Sequence, residues 1–170
     1  MSDAAAIGRR ARLALTVTLA LYGFWIMRTV DGYHFLDDVD LAIHETGHLV
    51  FGWGGEVVTA LGGTLFQLIV PLLFVGYFVR QRDWHAASVP LWWVGQNGWN
   101  IARYVADARA QELPLVGGGE HDWAFLLGHW NALHLDLAVA RAIRVVAFGL
   151  MMGSCVWGWL ALARKGGTAE

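Results

Sequence analysis

The chain has 170 residues, of which 56% are hydrophobic and 15% are charged, and its mean hydropathy is +0.45. Soluble domains carry about 25% charged residues, so this composition predicts an integral membrane protein. The net charge of -2 and the pI near 6.4 provide no basic surface for nucleic acid, and the single Cys155 excludes a disulfide framework or a cysteine-based zinc site within one chain.

The first apolar stretch follows three arginines, Arg9, Arg10 and Arg12. This arrangement resembles a signal peptide, but no small-residue cleavage pattern comes after it, so we predict a retained helix. Crossing a bilayer takes about 20 apolar residues, and such segments recur. We predict an all-α fold, a single membrane domain of residues 1–170 in which four transmembrane helices cover residues 12–27, 57–79, 86–106 and 137–163.

The second element, residues 39–53, is predicted to be a short helix. Aspartates precede it and a glycine pair follows it, as is typical of a helix start and a helix stop: Asp37, Asp38 and Asp40, then Gly54 and Gly55. About four turns are too short to cross a bilayer comfortably. We therefore predict a re-entrant or half-buried helix.

Within this helix the sequence HETGH, residues 44–48, is a His-Glu-X-X-His motif. A spacing of four residues places His44 and His48 on one face of a helix, where both imidazoles can bind one metal ion. Glu45 lies about 100° around the helix, where it can act on a metal-bound water. Since ionisable groups at membrane depth are costly and rarely lack a function, we predict a zinc site. The alternative is a pair of packed, hydrogen-bonded histidines beside a helix-start carboxylate.

A polar stripe marks the predicted helix at residues 86–106. Catalytic zinc usually takes three protein ligands, so a third must come from outside HETGH. Asn97, Asn100, Tyr104 and Asp107 recur at helical spacing and should face the bundle interior. We predict Asp107 as the third ligand and Asn100 as a donor to the oxyanion. Alternatively, Asp107 pairs with a neighbouring arginine as a helix-end charge.

Residues 109–134 are predicted to lie on the outer side of the membrane, as a glycine-rich loop and a short interfacial helix rich in aromatic residues. His121 in this region is a second candidate for the third ligand, for a catalytic donor, or for a partner of a metal-bound histidine. Alternatively, Glu120 and Asp122 favour the N-terminus of the interfacial helix, and His121 is an ordinary surface residue.

Charge predicts the topology. If the short helix does not cross, the N-terminal arginines, the turn at Arg80 and Arg82 and the tail at Arg164 and Lys165 all fall on one side. The positive-inside rule makes that side cytoplasmic. We therefore expect a multi-pass protein with both termini in the cytoplasm.

With these elements described, the chain resembles the membrane-embedded HExxH zinc metallopeptidases of the site-2 protease type, and most closely their small uncharacterised bacterial members. HETGH matches the metal-binding helix of that family, GGTLFQLIVP at residues 62–71 resembles the Gly/Pro-bearing helix that follows it, and NIARYVADAR at residues 100–109 lies roughly where the aspartate motif falls. The resemblance implies a zinc ion bound by His44, His48 and Asp107, in a protein of the cell inner membrane.

The sequence thus predicts a zinc-dependent membrane hydrolase, most directly a peptidase acting on a membrane protein or peptide. Glu45 would act as base and then as acid, and Asn100 or His121 would donate to the oxyanion. Two alternatives stay open. One is a zinc lipid-amide hydrolase that uses the same Glu45, and the other is a non-catalytic, metal-stabilised membrane subunit or assembly factor.

Overall fold

A computed structural model describes residues 3–29, 32–116 and 119–166, and within these ranges the secondary structure is helical, without a strand. The predicted all-α class is confirmed. The helices in chain order are α1 (Asp3–Arg28), α2 (Phe35–Phe51), α3 (Glu56–Arg80), α4 (Trp84–Ala106), α5 (Asp122–His129) and α6 (Asp136–Gly166), with short 3-10 helices at Gly52–Gly54 and Leu133–Leu135.

α4 is the most buried helix and packs most extensively against α6. Gly95 permits this contact, because a Cβ at its position would lie 2.8 Å from the backbone nitrogen of Met151. Met151 also packs with Trp92 of α4 and Ile26 of α1, and all three side chains are buried. Burying an apolar side chain of this size contributes about 1.5–3 kcal/mol, so this cluster holds α1, α4 and α6 together.

A salt bridge joins α1 to the start of α4. The Arg12 guanidinium donates two hydrogen bonds to the Asp83 carboxylate, at 2.6 and 2.7 Å. His85 Nε2 lies 3.0 Å from the Thr16 hydroxyl, and a Cβ built on Gly158 of α6 would lie 3.6 Å from the His85 ring. The N-terminal half of α1, the start of α4 and the C-terminal half of α6 therefore lie at one end of the bundle.

α2 and α3 cross at a contact between glycines. A Cβ on Gly47 would overlap the carbonyl group of Gly62, and a Cβ on Gly62 would lie 2.7 Å from the Cβ of Phe51. A Cβ on Gly63 would lie 2.5 Å from His44 Nε2. Only glycine allows so close a backbone approach, and it makes α3 one wall of the space around His44.

α2 begins at Phe35, four residues before the predicted start at residue 39. The carboxylate of Asp37 accepts a hydrogen bond from the backbone N–H of His34 at 2.8 Å, which satisfies a donor that the helix leaves unpaired. Asp37 and Asp38 thus lie in the first turn rather than before the helix. At the other end, Gly55 has a φ of 84°, a left-handed conformation that glycine adopts readily.

Two helical segments, Glu56–Arg80 and Leu133–Arg164, are long and apolar enough to cross a membrane. They correspond to the predicted spans at residues 57–79 and 137–163. The other two predicted spans, at residues 12–27 and 86–106, fall within α1 and α4, and their crossing of a membrane stays a prediction.

Candidate metal centre

The two histidines of HETGH project from one face of α2, with ring centroids 4.8 Å apart. Both direct Nε2 at the same carboxylate oxygen. Asp122 Oδ2 lies 2.9 Å from His44 Nε2 and 3.3 Å from His48 Nε2. Because Asp122 is the first residue of α5, two distant parts of the chain bring together three atoms of the kinds that can bind a metal ion.

The other ring nitrogen of each histidine is held by α3. His48 Nδ1 lies 2.8 Å from the backbone carbonyl oxygen of Thr59. A carbonyl can only accept, so Nδ1 carries a proton and Nε2 is left to face Asp122. His44 Nδ1 lies 3.1 Å from Gln67 Oε1. A hydrogen bond on the second nitrogen is the usual device that orients a metal-binding histidine.

The distances and chemistry of this cluster fit zinc. With bonds of about 2.0–2.2 Å, two ligand atoms of a tetrahedral site lie about 3.3–3.6 Å apart. The distance from Asp122 Oδ2 to His48 Nε2, 3.3 Å, is within this range, and the distance to His44 Nε2, 2.9 Å, is shorter by a few tenths of an ångström. Two imidazoles and one carboxylate are a typical ligand set of catalytic zinc, which keeps a fourth position open. Ligand atoms of His44, Glu45 and His48 also lie within 4.8 Å of one another, which places Glu45 beside the site.

His48 and Asp122 shift each other's pKa. The hydrogen bond with Asp122 raises the pKa of His48 to about 9, although burial acts in the opposite direction. Burial alone would raise the pKa of Asp122, but its hydrogen bonds with His44 and His48 outweigh burial and hold that pKa below its ordinary value. Near neutral pH, Asp122 is therefore ionised and His48 carries a proton that a metal must displace.

Tyr104 of α4 holds Asp122 in place. Its hydroxyl accepts a hydrogen bond from the backbone N–H of Asp122 at 3.2 Å and donates to Asp122 Oδ2 at 3.4 Å. The ring of Tyr104 stacks on His121 with centroids 4.1 Å apart, and it meets the ring of His44 in a T-shaped contact at 5.7 Å. The polar stripe of α4 therefore reaches the cluster through Tyr104.

Asp107, predicted as the third ligand, has other partners. Its carboxylate accepts hydrogen bonds from the backbone N–H groups of Glu112 at 2.9 Å and Leu113 at 3.1 Å. It also lies 3.3 Å from His121 Nε2. The carboxylate in contact with both motif histidines is that of Asp122, one residue beyond the other predicted ligand.

His121 is enclosed behind the cluster, with 1% of its surface exposed. Its Nδ1 accepts the backbone N–H of Ala124 at 3.2 Å, which caps the start of α5, and its ring packs on Tyr104. Burial lowers the pKa of His121, and the nearby Asp107 only partly offsets this. The imidazole is therefore neutral near pH 7 and is shielded from a substrate.

Asn100, predicted as an oxyanion donor, forms hydrogen bonds with two other side chains. Its side-chain nitrogen donates to Asp37 Oδ1 at 3.0 Å, and its oxygen accepts from Gln67 Nε2 at 2.9 Å.

Two cavities of about 480 and 630 Å³ flank Glu45. The smaller one reaches His44. Apolar side chains such as Leu41, Ile101, Leu113 and Pro114 line part of it, and polar or charged side chains line the rest. The larger one lies on the side of His48 and Asp122. Four residues line both cavities and so occupy the space between them: Glu45, Tyr104, Leu115 and Val116.

Comparisons with known proteins find no matching family model, no matching curated protein and no matching solved structure. The resemblance to site-2 proteases stays a prediction that rests on the motifs alone.

The contact set predicts which aspartate matters for metal affinity. We expect Asp122→Asn to lower zinc affinity more than about 100-fold, because loss of an outer partner already costs about 10- to 100-fold and Asp122 touches both histidines. The matched variant Asp107→Asn should have the smaller effect. Competition of the purified protein with a chromophoric chelator measures both, and a larger loss in Asp107→Asn would contradict the assignment.

The raised pKa of His48 predicts a proton-coupled metal site. Zinc binds the unprotonated ring nitrogen, so this proton competes with the metal. Below pH 9, each unit by which the pH falls should therefore lower the zinc affinity about tenfold. Competition titrations at pH 7 and pH 8 measure the difference. Calorimetry in two buffers of different ionisation enthalpy should detect the released proton, and an affinity independent of pH over this interval would show that His48 binds no proton there.

Proposed function

We propose that this protein is a zinc-dependent membrane hydrolase that cleaves an amide bond, most directly a peptide bond. The observation that carries the proposal is the convergence of His44 Nε2 and His48 Nε2 on Asp122 Oδ2, with Glu45 beside them. In His-Glu-X-X-His hydrolases the two histidines bind the metal and the glutamate is the base. Asp122 takes the place expected for Asp107 as the third ligand.

Each catalytic role falls to a residue with access to the cavities. Zinc, when bound, supplies a Lewis acid and lowers the pKa of a water molecule. The carboxylate of Glu45 takes a proton from the attacking water and returns it to the amide nitrogen as the carbon–nitrogen bond breaks. The Tyr104 hydroxyl lines both cavities, and its hydrogen bond to Asp122 Oδ2 is long, at 3.4 Å. It can exchange this bond for one to the carbonyl oxygen as negative charge develops there.

The cavities favour catalysis over a purely structural metal site. A structural zinc is closed by four protein ligands, whereas the ligand cluster here adjoins cavities of about 480 and 630 Å³. Small-molecule sites occupy about 300–1,000 Å³. The non-catalytic alternative, a metal-stabilised subunit or assembly factor, needs no such space beside Glu45.

The apolar side chains that line part of the smaller cavity, Leu41 and Ile101 among them, support a substrate with an apolar group next to the scissile bond. In a peptide that group is a hydrophobic side chain. The same observation favours a second candidate, a lipid-amide hydrolase, because an acyl chain would fill the space beside Leu41 and Ile101 equally well.

For the membrane, we propose that α1, α3, α4 and α6 cross the bilayer and that α2 does not. Exposed side chains on α1 are largely apolar, including Leu13, Leu21 and Phe24. The exposed Thr46 of α2 donates its hydroxyl to the carbonyl oxygen of Ala42 at 2.8 Å. A hydroxyl group that donates to a carbonyl of its own helix needs no water as a partner. This is what a side chain exposed to lipid requires.

The contacts at the ends of the bundle support the proposed topology. Arg12 and Asp83 are in direct contact, so the N-terminal half of α1 and the turn before α4 share one end of the bundle. Two positions at the same end must be separated by an even number of crossings, which holds if α1 and α3 cross the bilayer and α2 does not. The positive-inside rule makes this end cytoplasmic, as expected in an inner membrane, and places the metal centre toward the other face.

The test of the proposed activity separates the base from the ligands. Glu45→Gln should keep zinc and lose about 10²- to 10⁴-fold in turnover, the usual contribution of a general acid–base group, whereas His48→Ala should lose both zinc and turnover. A peptide library and a lipid extract serve as substrates, and the exposed Glu112→Gln is the control. Full activity of Glu45→Gln on a substrate that the wild type cleaves would refute this mechanism.

The topology is tested with single cysteines in a Cys155→Ser background. A thiol reagent that does not cross membranes should label Gly119→Cys in intact spheroplasts, and it should label Gln81→Cys only after permeabilisation. Labelling of Gln81→Cys from outside would show that α2 crosses the membrane.

A further inference from the structure

Two amide side chains, Gln67 and Asn100, connect His44 to a carboxylate on its own helix, that of Asp37. His44 Nδ1 lies 3.1 Å from Gln67 Oε1. Gln67 Nε2 donates to Asn100 Oδ1 at 2.9 Å, and Asn100 Nδ2 donates to Asp37 Oδ1 at 3.0 Å. This hydrogen-bonded chain runs from α2 through α3 and α4 and back to α2. Its members Asp37, His44 and Gln67 are buried.

The chemistry of its last member sets the direction of this chain. An ionised carboxylate can only accept hydrogen bonds, so Asn100 must turn its NH₂ group to Asp37 and its oxygen to Gln67. Gln67 must then turn its NH₂ group to Asn100 and its oxygen to His44. An oxygen can only accept, and His44 Nδ1 therefore has to carry a proton.

We propose that Asp37 is a positioning residue that fixes, through Asn100 and Gln67, the Nδ1–H tautomer of His44. The tautomer leaves the lone pair of Nε2 directed at Asp122, where the proposed zinc binds. The assignment of a metal ligand rests on the proposed function, but the position of the proton on the ring does not.

The carboxylate of Asp122 opposes this tautomer of His44. Asp122 Oδ2 lies 2.9 Å from His44 Nε2, and in the absence of metal this carboxylate favours a proton on Nε2. A neutral imidazole has only one proton. Without the chain, the neutral ring would turn that proton toward Asp122 and present no lone pair for a metal, which would have to displace it first.

Both oxygens of Asp37 face hydrogen-bond donors. Its second oxygen accepts the backbone N–H of His34 at 2.8 Å. Arg103 Nη1 lies 3.9 Å away, and Gln96 Nε2 is 3.5 Å from Oδ1. Asp40, one turn further along the same face of α2, is equally buried but accepts from Trp93 Nε1 at 3.0 Å and so provides a matched control outside the chain.

The first experiment reads the tautomer directly in metal-free protein. An Asp122→Asn background removes the competing carboxylate and offers a side chain that can donate or accept. At a pH at which His44 is neutral, ¹⁵N NMR should show its proton on Nδ1. Adding Asp37→Asn should produce a mixture of tautomers, and adding Asp40→Asn should not. A ring that stays fully protonated on Nδ1 with Asp37→Asn would overturn the proposal.

The second experiment moves the charge and measures zinc affinity with Asp122 intact. Asp37→Asn should weaken zinc binding about 10- to 100-fold. Combination with Gln67→Glu should restore the affinity, because the new carboxylate accepts directly from His44 Nδ1 and Asn100 can reverse its amide between the two substituted side chains. A structural role for Asp37 at the start of α2 would not be rescued in this way, so failure of the double variant counts against the proposal.

Gln67→Met provides a variant that leaves the start of α2 intact, in case Asp37→Asn fails to fold. It interrupts the chain at similar side-chain volume, and the same mixture of tautomers is expected. If the tautomer changes as expected but the wild type binds no zinc, the proposed function fails and the positioning role of Asp37 stands.

Discussion

The constraint on which this structure depends is that a polar group inside an apolar bundle must find its partner within the protein. α2 brings Asp37, Asp40 and His44 into the interior on one face. Each of them meets a polar group of another helix, and these contacts fix how α2 sits on α3 and α4. At the candidate metal centre, three such groups, His44, His48 and Asp122, pair with one another. There, two imidazoles share one carboxylate oxygen, and a cation is the partner that would balance all three groups.

Close approach of the backbones makes that pairing possible. Gly47 and Gly62 let α2 and α3 cross without side chains between them, and this brings Thr59 and Gln67 within hydrogen-bonding distance of the two motif histidines. A larger residue at the crossing would separate the helices by more than a hydrogen bond can tolerate. Gly47 of HETGH therefore sets the distance between α2 and α3. That distance allows both motif histidines to form their hydrogen bonds with α3.

Hydropathy and spacing were enough to predict the helices, the motif pair and Glu45, because these features repeat along one helix and depend on local geometry. The start of α2 was missed by four residues because Asp37 caps the helix from inside its first turn. The partner of the histidines was missed for a different reason. The sequence placed Asp122 one residue from a predicted ligand but could not show which side chain of the loop would turn inward, since that depends on how α5 packs against Tyr104.

Asp107 and His121, the two residues predicted to complete the site, both support Asp122, the residue that contacts the two motif histidines. Asp107 accepts two backbone N–H groups of the loop that follows α4 and lies 3.3 Å from His121 Nε2. His121 in turn caps α5 and stacks on Tyr104, whose hydroxyl binds Asp122. A carboxylate in the first turn of a short helix is held precisely only if neighbouring groups fix its geometry. The polar stripe of α4 and the start of α5 supply those groups, so Asp122 is held in place from both sides.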